Sequence, residues 1–285
     1  FIEEETIKNL TLNDDEKFIC LDAAIEDLTQ ALEFINKSNG WLVTEILSSR
    51  ARCYYFNKEY DKAEKDLMTI LVSTDNEEDL QATTGHLCDV YIDSKQYQKA
   101  ILAAEGLLEM ECNQLKAYYT LAHANLAMGN LHESIDYVII VTLFDIKYID
   151  IEELKWMLWH DVEYAREMLH TLIAEDVNNE RILQHLFIAE ALHDYEAMLP
   201  LIDEFSKNYD AKQGLWWLIE YSAKAGKYNE AALYITTLME GVEGSELYFL
   251  TDGRWGYYCL AGEYDKALAD ANQIVKLMPE RAHGY

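Results

Sequence analysis

Proline is almost missing from this chain, two residues in 285, and glycine is held to twelve. Sheets need turn formers at every reversal, so the scarcity points to long helices joined by short turns. Basic residues are scarce as well: 23 Lys and Arg stand against 52 Asp and Glu, a net charge of −29. That balance opposes sequence-independent binding to a phosphate backbone or an anionic lipid surface, so neither nucleic acid nor a membrane is an expected partner. No apolar run reaches the roughly 18 residues a membrane helix needs, and no basic-then-apolar leader opens the chain. The five cysteines, Cys20, Cys53, Cys88, Cys112 and Cys259, are odd in number and widely spaced. They form no CxxC pair or metal-ligand spacing, which suggests reduced thiols and a cytoplasmic setting. The chain opens on Phe1 rather than methionine, so a removed targeting segment is left open.

What is present is one recurring phrase: Tyr60-Asp61-Lys62-Ala63, Tyr97-Gln98-Lys99-Ala100, Tyr228-Asn229-Glu230-Ala231 and Tyr264-Asp265-Lys266-Ala267. Its separations betray a helical repeat of about 34 residues. A repeat that short cannot bury its own apolar face and must stack on copies of itself, so the expected fold is an all-α solenoid. A fuller pattern surrounds the phrase. One copy reads Leu47, Arg50, Ala51, Tyr54, Tyr60, Ala63, Leu67, Ile70, Leu71, with Arg50 standing where a leucine is expected. Others read Leu87, Cys88, Tyr91, Tyr97, Ala100, Ala104, Leu107, then Tyr118, Leu121, Ala122, Gly129, Leu131, Ser134, Val138. Tyr258, Gly262, Tyr264, Ala267, Ala271, Ile274 and Pro279 mark a late copy. Ala165 and Ala197 divide the weak stretch between Ser134 and Ala231 into similar steps. Cys88 falls where two helices come closest and is read as a small buried hydrophobe.

This pattern resembles the tetratricopeptide repeat family, in which each unit is an antiparallel helix pair; a HEAT-type array is the competing reading, which the Tyr-x-x-Ala phrases argue against. The resemblance implies a right-handed α-solenoid of about seven to eight units, near 1–38, 44–77, 81–114, 115–145, 146–177, 178–211, 212–246 and 248–281. The run Asn9 to Asp15 reads as a turn and cap. Pro279 closes one unit and Ala282 to Tyr285 begins another, with Tyr285 at the first aromatic landmark. The array is therefore expected to be truncated at that end, and self-association through an exposed terminal repeat is open.

The resemblance also implies that the first helix of each pair lines a concave groove that takes peptides or partner helices. By position, Arg52, Tyr55, Asp89, Asp93, Lys116, Tyr119, His123, Trp216, Glu220 and Asp252 are the groove candidates. The acidic members suit Lys or Arg from a partner, and the aromatic ones supply rigid contact area. Some relatives clamp terminal carboxylates with Lys, Asn and Arg at fixed positions. Here those positions hold Ser48, Arg52, Ala82, Gly85, His86, Asp89, Lys116, Tyr119 and Thr120, so the clamp pattern is absent.

No catalytic signature appears: no HExxH, GxSxG, P-loop or dinucleotide fingerprint, and eight scattered histidines. No cofactor or metal is expected. Trp156 and Trp159 share one side of a helix and read first as core, second as a local binding patch. The sequence supports a non-catalytic adaptor that binds a protein or peptide, a basic one by its charge. The alternative is a sensor or targeting arm of a larger regulatory protein or enzyme.

Overall fold

The computed structural model describes residues 14–35, 40–176, 180–208 and 211–279. Those residues form fifteen helices and no strand. Helix α1 (Asp14–Phe34) is followed by seven pairs: α2 (Gly40–Phe56) with α3 (Tyr60–Ser73), α4 (Glu77–Asp93) with α5 (Tyr97–Glu109), α6 (Gln114–Met128) with α7 (Leu131–Phe144), α8 (Ile151–Leu158) with α9 (Val162–Glu175), α10 (Ile182–Ala191) with α11 (Tyr195–Asn208), α12 (Ala211–Lys224) with α13 (Tyr228–Leu238), and α14 (Gly244–Leu260) with α15 (Tyr264–Leu277). Asp14 and Asp15 are already helical, which shortens the turn expected over Asn9 to Asp15. Residues 9–13 and the Ala282 to Tyr285 segment lie outside the described residues.

The chain divides into two compact units, Phe1–Val141 and Thr142–Tyr285. In the first, α2, α4 and α6 touch in succession, while α3 and α5 each sit between two of them. In the second, α8 packs on α10 in the same way. In the first unit the first helices of the pairs thus make a row with the second helices laid against it, and α8 with α10 repeats that contact in the second, the stacked helix-pair architecture of a tetratricopeptide-like solenoid.

Seven small residues, one per pair, make that stacking close. Ala63, Ala100, Ser134, Ala165, Ala197, Ala231 and Ala267 are all buried. Ser134 satisfies its hydroxyl by donating to the Ala122 carbonyl at 2.8 Å. Leu67, Ile70 and Leu107, none more than 1% exposed, fill the gaps between helices of the first unit; each such side chain contributes about 1.5–3 kcal/mol by leaving water.

The turns inside the pairs share one geometry. Lys58, Lys95, Gly129, His193, Gly226 and Gly262 have φ between 53° and 86°, the left-handed region. Each lies two residues before its second helix. In every one of these turns the amide of the following residue bonds a carbonyl five back, as Glu59 to Tyr54 at 2.8 Å and Glu263 to Tyr258 at 2.9 Å. These are Schellman closures, which tie off carbonyls at the end of the first helix. The pair α8 and α9 departs from this: His160 is not left-handed, and Asp161 instead caps α9 by accepting from the Tyr164 amide at 3.1 Å.

Arg50, the residue out of pattern, is explained by a clasp. It donates Nε and Nη2 to the Asp66 carboxylate at 2.7 and 2.8 Å and Nη1 to Thr29 Oγ1 at 3.1 Å. The last pair repeats it: Arg254 donates to Asp270 at 3.0 and 2.6 Å and to Thr236 Oγ1 at 3.0 Å. Both aspartates are buried. Each clasp joins the two helices of its pair and reaches back to another helix.

Candidate functional site

Three successive first helices of the first unit converge on a groove of about 480 Å³ lined by residues that include Arg52, Tyr55 and Phe56 of α2, His86, Asp89 and Val90 of α4, and Lys116 of α6. The same helices are anchored by buried neighbours, Leu47 on α2, Leu87, Cys88 and Tyr91 on α4, Ala117 and Leu121 on α6, while Ala51 and Val90, also buried, line the groove itself. Helix α4 is fixed in register by Asn76, whose side chain accepts from the Asp79 amide at 3.1 Å, with Glu77, Glu78 and Asp79 in its first turn. Cys88 lies wholly inside, and burial pushes its thiol up to about 11.

Polar contacts cross the groove between helices. Tyr55 donates its hydroxyl to Asp93 at 2.6 Å. Burial first, and that bond second, hold the phenol well above its ordinary pKa. Lys116 pairs with Asp89. Arg52 makes no ion pair among the described residues, although it lines the same groove, leaving its guanidinium available to an incoming carbonyl or carboxylate. Four of the ten expected groove residues, Arg52, Tyr55, Asp89 and Lys116, therefore meet in one place, and Asp93 joins them through Tyr55. Tyr119 and His123 also lie on α6, their rings 4.4 Å apart, but do not line the groove. Trp216, Glu220 and Asp252 belong to α12 and α14 in the second unit; Trp216 is exposed, and Glu220 pairs with Lys224 at 2.9 Å. Phe56 and Val90 were not among the expected residues. Their signal was spacing: each stands one helical turn or less from a groove residue on the same helix.

The second unit carries another recess, about 390 Å³, lined by Glu152, Lys155, Trp156, Trp159 and His160. Asp150 starts its helix by accepting from the amides of Glu152 and Glu153 at 2.9 and 3.0 Å. Trp156 and Trp159 are 54% and 50% exposed, which overturns the reading of both as core. The core of α8 is Leu154, Met157 and Leu158, each fully buried, and those positions leave the tryptophans on the opposite side. Trp159 ties its pair to the next by donating Nε1–H to the Ala191 carbonyl at 2.9 Å, and its ring meets His193 at 5.3 Å. His193 stacks on Tyr195, Tyr195 meets Tyr221, and the Lys224 ammonium lies 5.6 and 4.4 Å from those two tyrosine rings.

Among the described residues no cluster of three or more His, Cys, Asp or Glu is placed to hold a metal ion, and no helix is long and apolar enough to cross a membrane. All five cysteines are free thiols.

No family model matches the chain, and no curated protein matches it. Among solved structures it is similar to a tetratricopeptide repeat protein from Parabacteroides merdae, 13% identical, over 86% of this chain and 94% of that one, with a TM-score of 0.38. A likeness that loose gives no residue a role; the helix pairs, buried alanines and Schellman turns of this chain carry the fold by themselves.

Proposed function

We propose that this chain is a non-catalytic scaffold whose first-unit groove holds an extended segment of a partner protein. The observation behind this is the meeting of Arg52, Tyr55, Asp89 and Lys116, contributed by three successive first helices, around a groove of about 480 Å³. Tyr55 and Phe56 offer apolar ring surface with few rotamers to freeze, the property that makes aromatic residues dominant in interfaces. Arg52 is suited to a backbone carbonyl of the bound segment. Asp89 and Asp93 give a partner's Lys or Arg a place to land, in exchange for the internal contacts they now make. The excess of 52 acidic over 23 basic residues favours partners of net positive charge and speeds their approach at low salt.

The test is a photo-crosslinking amino acid placed at position 55, with captured segments identified by mass and then synthesised as labelled peptides. Fluorescence anisotropy should give an affinity that weakens at least tenfold between 50 and 300 mM salt, and a further loss of about tenfold on Tyr55→Ala. A captured segment whose binding ignores both salt and Tyr55→Ala rules the groove out.

A further inference from the structure

We propose that the Trp156 face of α8 is a second docking site, one that takes an arginine-bearing segment of a partner protein. The chain shows what its own aromatic faces accept. Tyr54 carries Arg50 and Lys62, Tyr91 carries Lys99, Tyr258 carries Arg254 and Lys266, and Lys224 lies against Tyr195 and Tyr221, all with the charge within 6 Å of the ring centre. Trp is the strongest of the aromatic partners for a cation. Yet among the described residues neither Trp156 nor Trp159 carries one, and both are half exposed.

The groups beside Trp156 select a guanidinium. Glu152, one helical turn before it, is exposed and its carboxylate makes no ion pair among the described residues. His160, one turn after, stands edge-on to the indole with ring centres 5.1 Å apart and planes at 88°. Its Nδ1 lies 2.8 Å from the Trp156 carbonyl, which can only accept, so Nδ1 holds the proton and Nε2 of the neutral ring is left as an acceptor. A flat cation with five N–H donors can stack on the indole while bonding the carboxylate on one side and the imidazole on the other; an ammonium cannot span both in one plane. Lys155 lines the same recess and makes no ion pair with Glu152 among the described residues, so that carboxylate is left for the incoming cation. The net charge of −29 adds a long-range pull in the same sense.

The probe is an acetylated, amidated Gly-Gly-Arg-Gly-Gly peptide, compared with its lysine and citrulline counterparts and with free L-arginine, read on the indole ¹H–¹⁵N signals of the whole chain. The arginine peptide should move Trp156 saturably and leave the exposed Trp216 still, with the lysine peptide several-fold weaker and citrulline inert. Glu152→Gln, which disturbs the fold least, should weaken binding about fivefold on the Trp156 signal, and Trp156→Ala, which removes that signal and is followed instead by calorimetric titration of the arginine peptide, should weaken it about as much, helical circular dichroism being unchanged. Equal movement of Trp216, equal binding of citrulline, tighter binding of free arginine, or no loss on Glu152→Gln each overturns the proposal. So does a dimer, seen by sedimentation, that Trp156→Ala converts to monomer, since a second copy would then cover this face.

Discussion

Asp66 and Asp270 are buried carboxylates that survive in the interior because each is met by two parallel guanidinium bonds. Removing one partner strands the other's charge, which costs about 3–5 kcal/mol, whereas replacing both with apolar residues costs far less. Arg254→Met alone should therefore lower the urea midpoint steeply, and Arg254→Met with Asp270→Leu should recover most of the loss; equal damage from both would mean that the clasp is not an uncompensated-charge problem. His185 raises a different question, since it is 1% exposed with Nδ1 at 3.7 Å from Asp176. Burial is the larger effect and lowers its pKa; Asp176 pulls it up, and Arg181 adds to the lowering. The sign follows from proton uptake: below about 6.5 the unfolded imidazole binds a proton that the folded one refuses, so stability falls as pH drops from about 6.5 towards the lowered folded value. Denaturation midpoints taken from pH 7.5 to 5.5 should decline less in His185→Phe than in the parent chain.

At the scale of elements, helices approach by small residues, and Gly214 is the tightest instance. A Cβ there would sit 2.3 Å from Ser206 Cβ and 2.8 Å from its Cα, so α12 and α11 would have to separate. Gly214→Ala should cost about 1–3 kcal/mol despite its better helix propensity; a stabilised variant by calorimetry would mean that the two helices readily part. Gly214 gave no sign in the sequence, because its reason is a neighbour rather than a turn. The stacking residues did: the alanines that close the Tyr-x-x-Ala phrases and the faint Ala165 and Ala197 all fall on buried positions, since only small side chains fit a close crossing. Arg50 was legible as an exception but not as a clasp, though the recurrence of Arg and Asp at the same places around Tyr54 and Tyr258 carried the signal. The groove was half legible. Position along first helices led to Arg52, Tyr55, Asp89 and Lys116, while which copies would share a recess depended on side-chain size and pairing. Trp156 and Trp159 read first as core because sharing one side of a helix does not say which side is buried when both are apolar: Leu154, Met157 and Leu158 had the stronger claim to the interior.

For the molecule as a whole, charge and local connectivity matter most. At −29 the folded chain repels itself, and screening shortens that repulsion from about 30 Å at 0.01 M salt to about 8 Å at 0.15 M. The thermal midpoint should therefore rise by several degrees across that range, scanned by calorimetry at pH 7; a fall would mean that ion pairs such as Lys99 with Glu64 outweigh the net repulsion. The row of first helices has a further consequence. In the first unit α4 touches α2 before it and α6 after it, and its own partner α5 follows at once along the chain. Nearly all of what a pair needs has been made by the time it leaves the ribosome, and the one surface still uncovered is the one the next pair will take. Such a chain can settle pair by pair as it is synthesised, with no long wait for a distant segment and little time in which its apolar faces meet strangers.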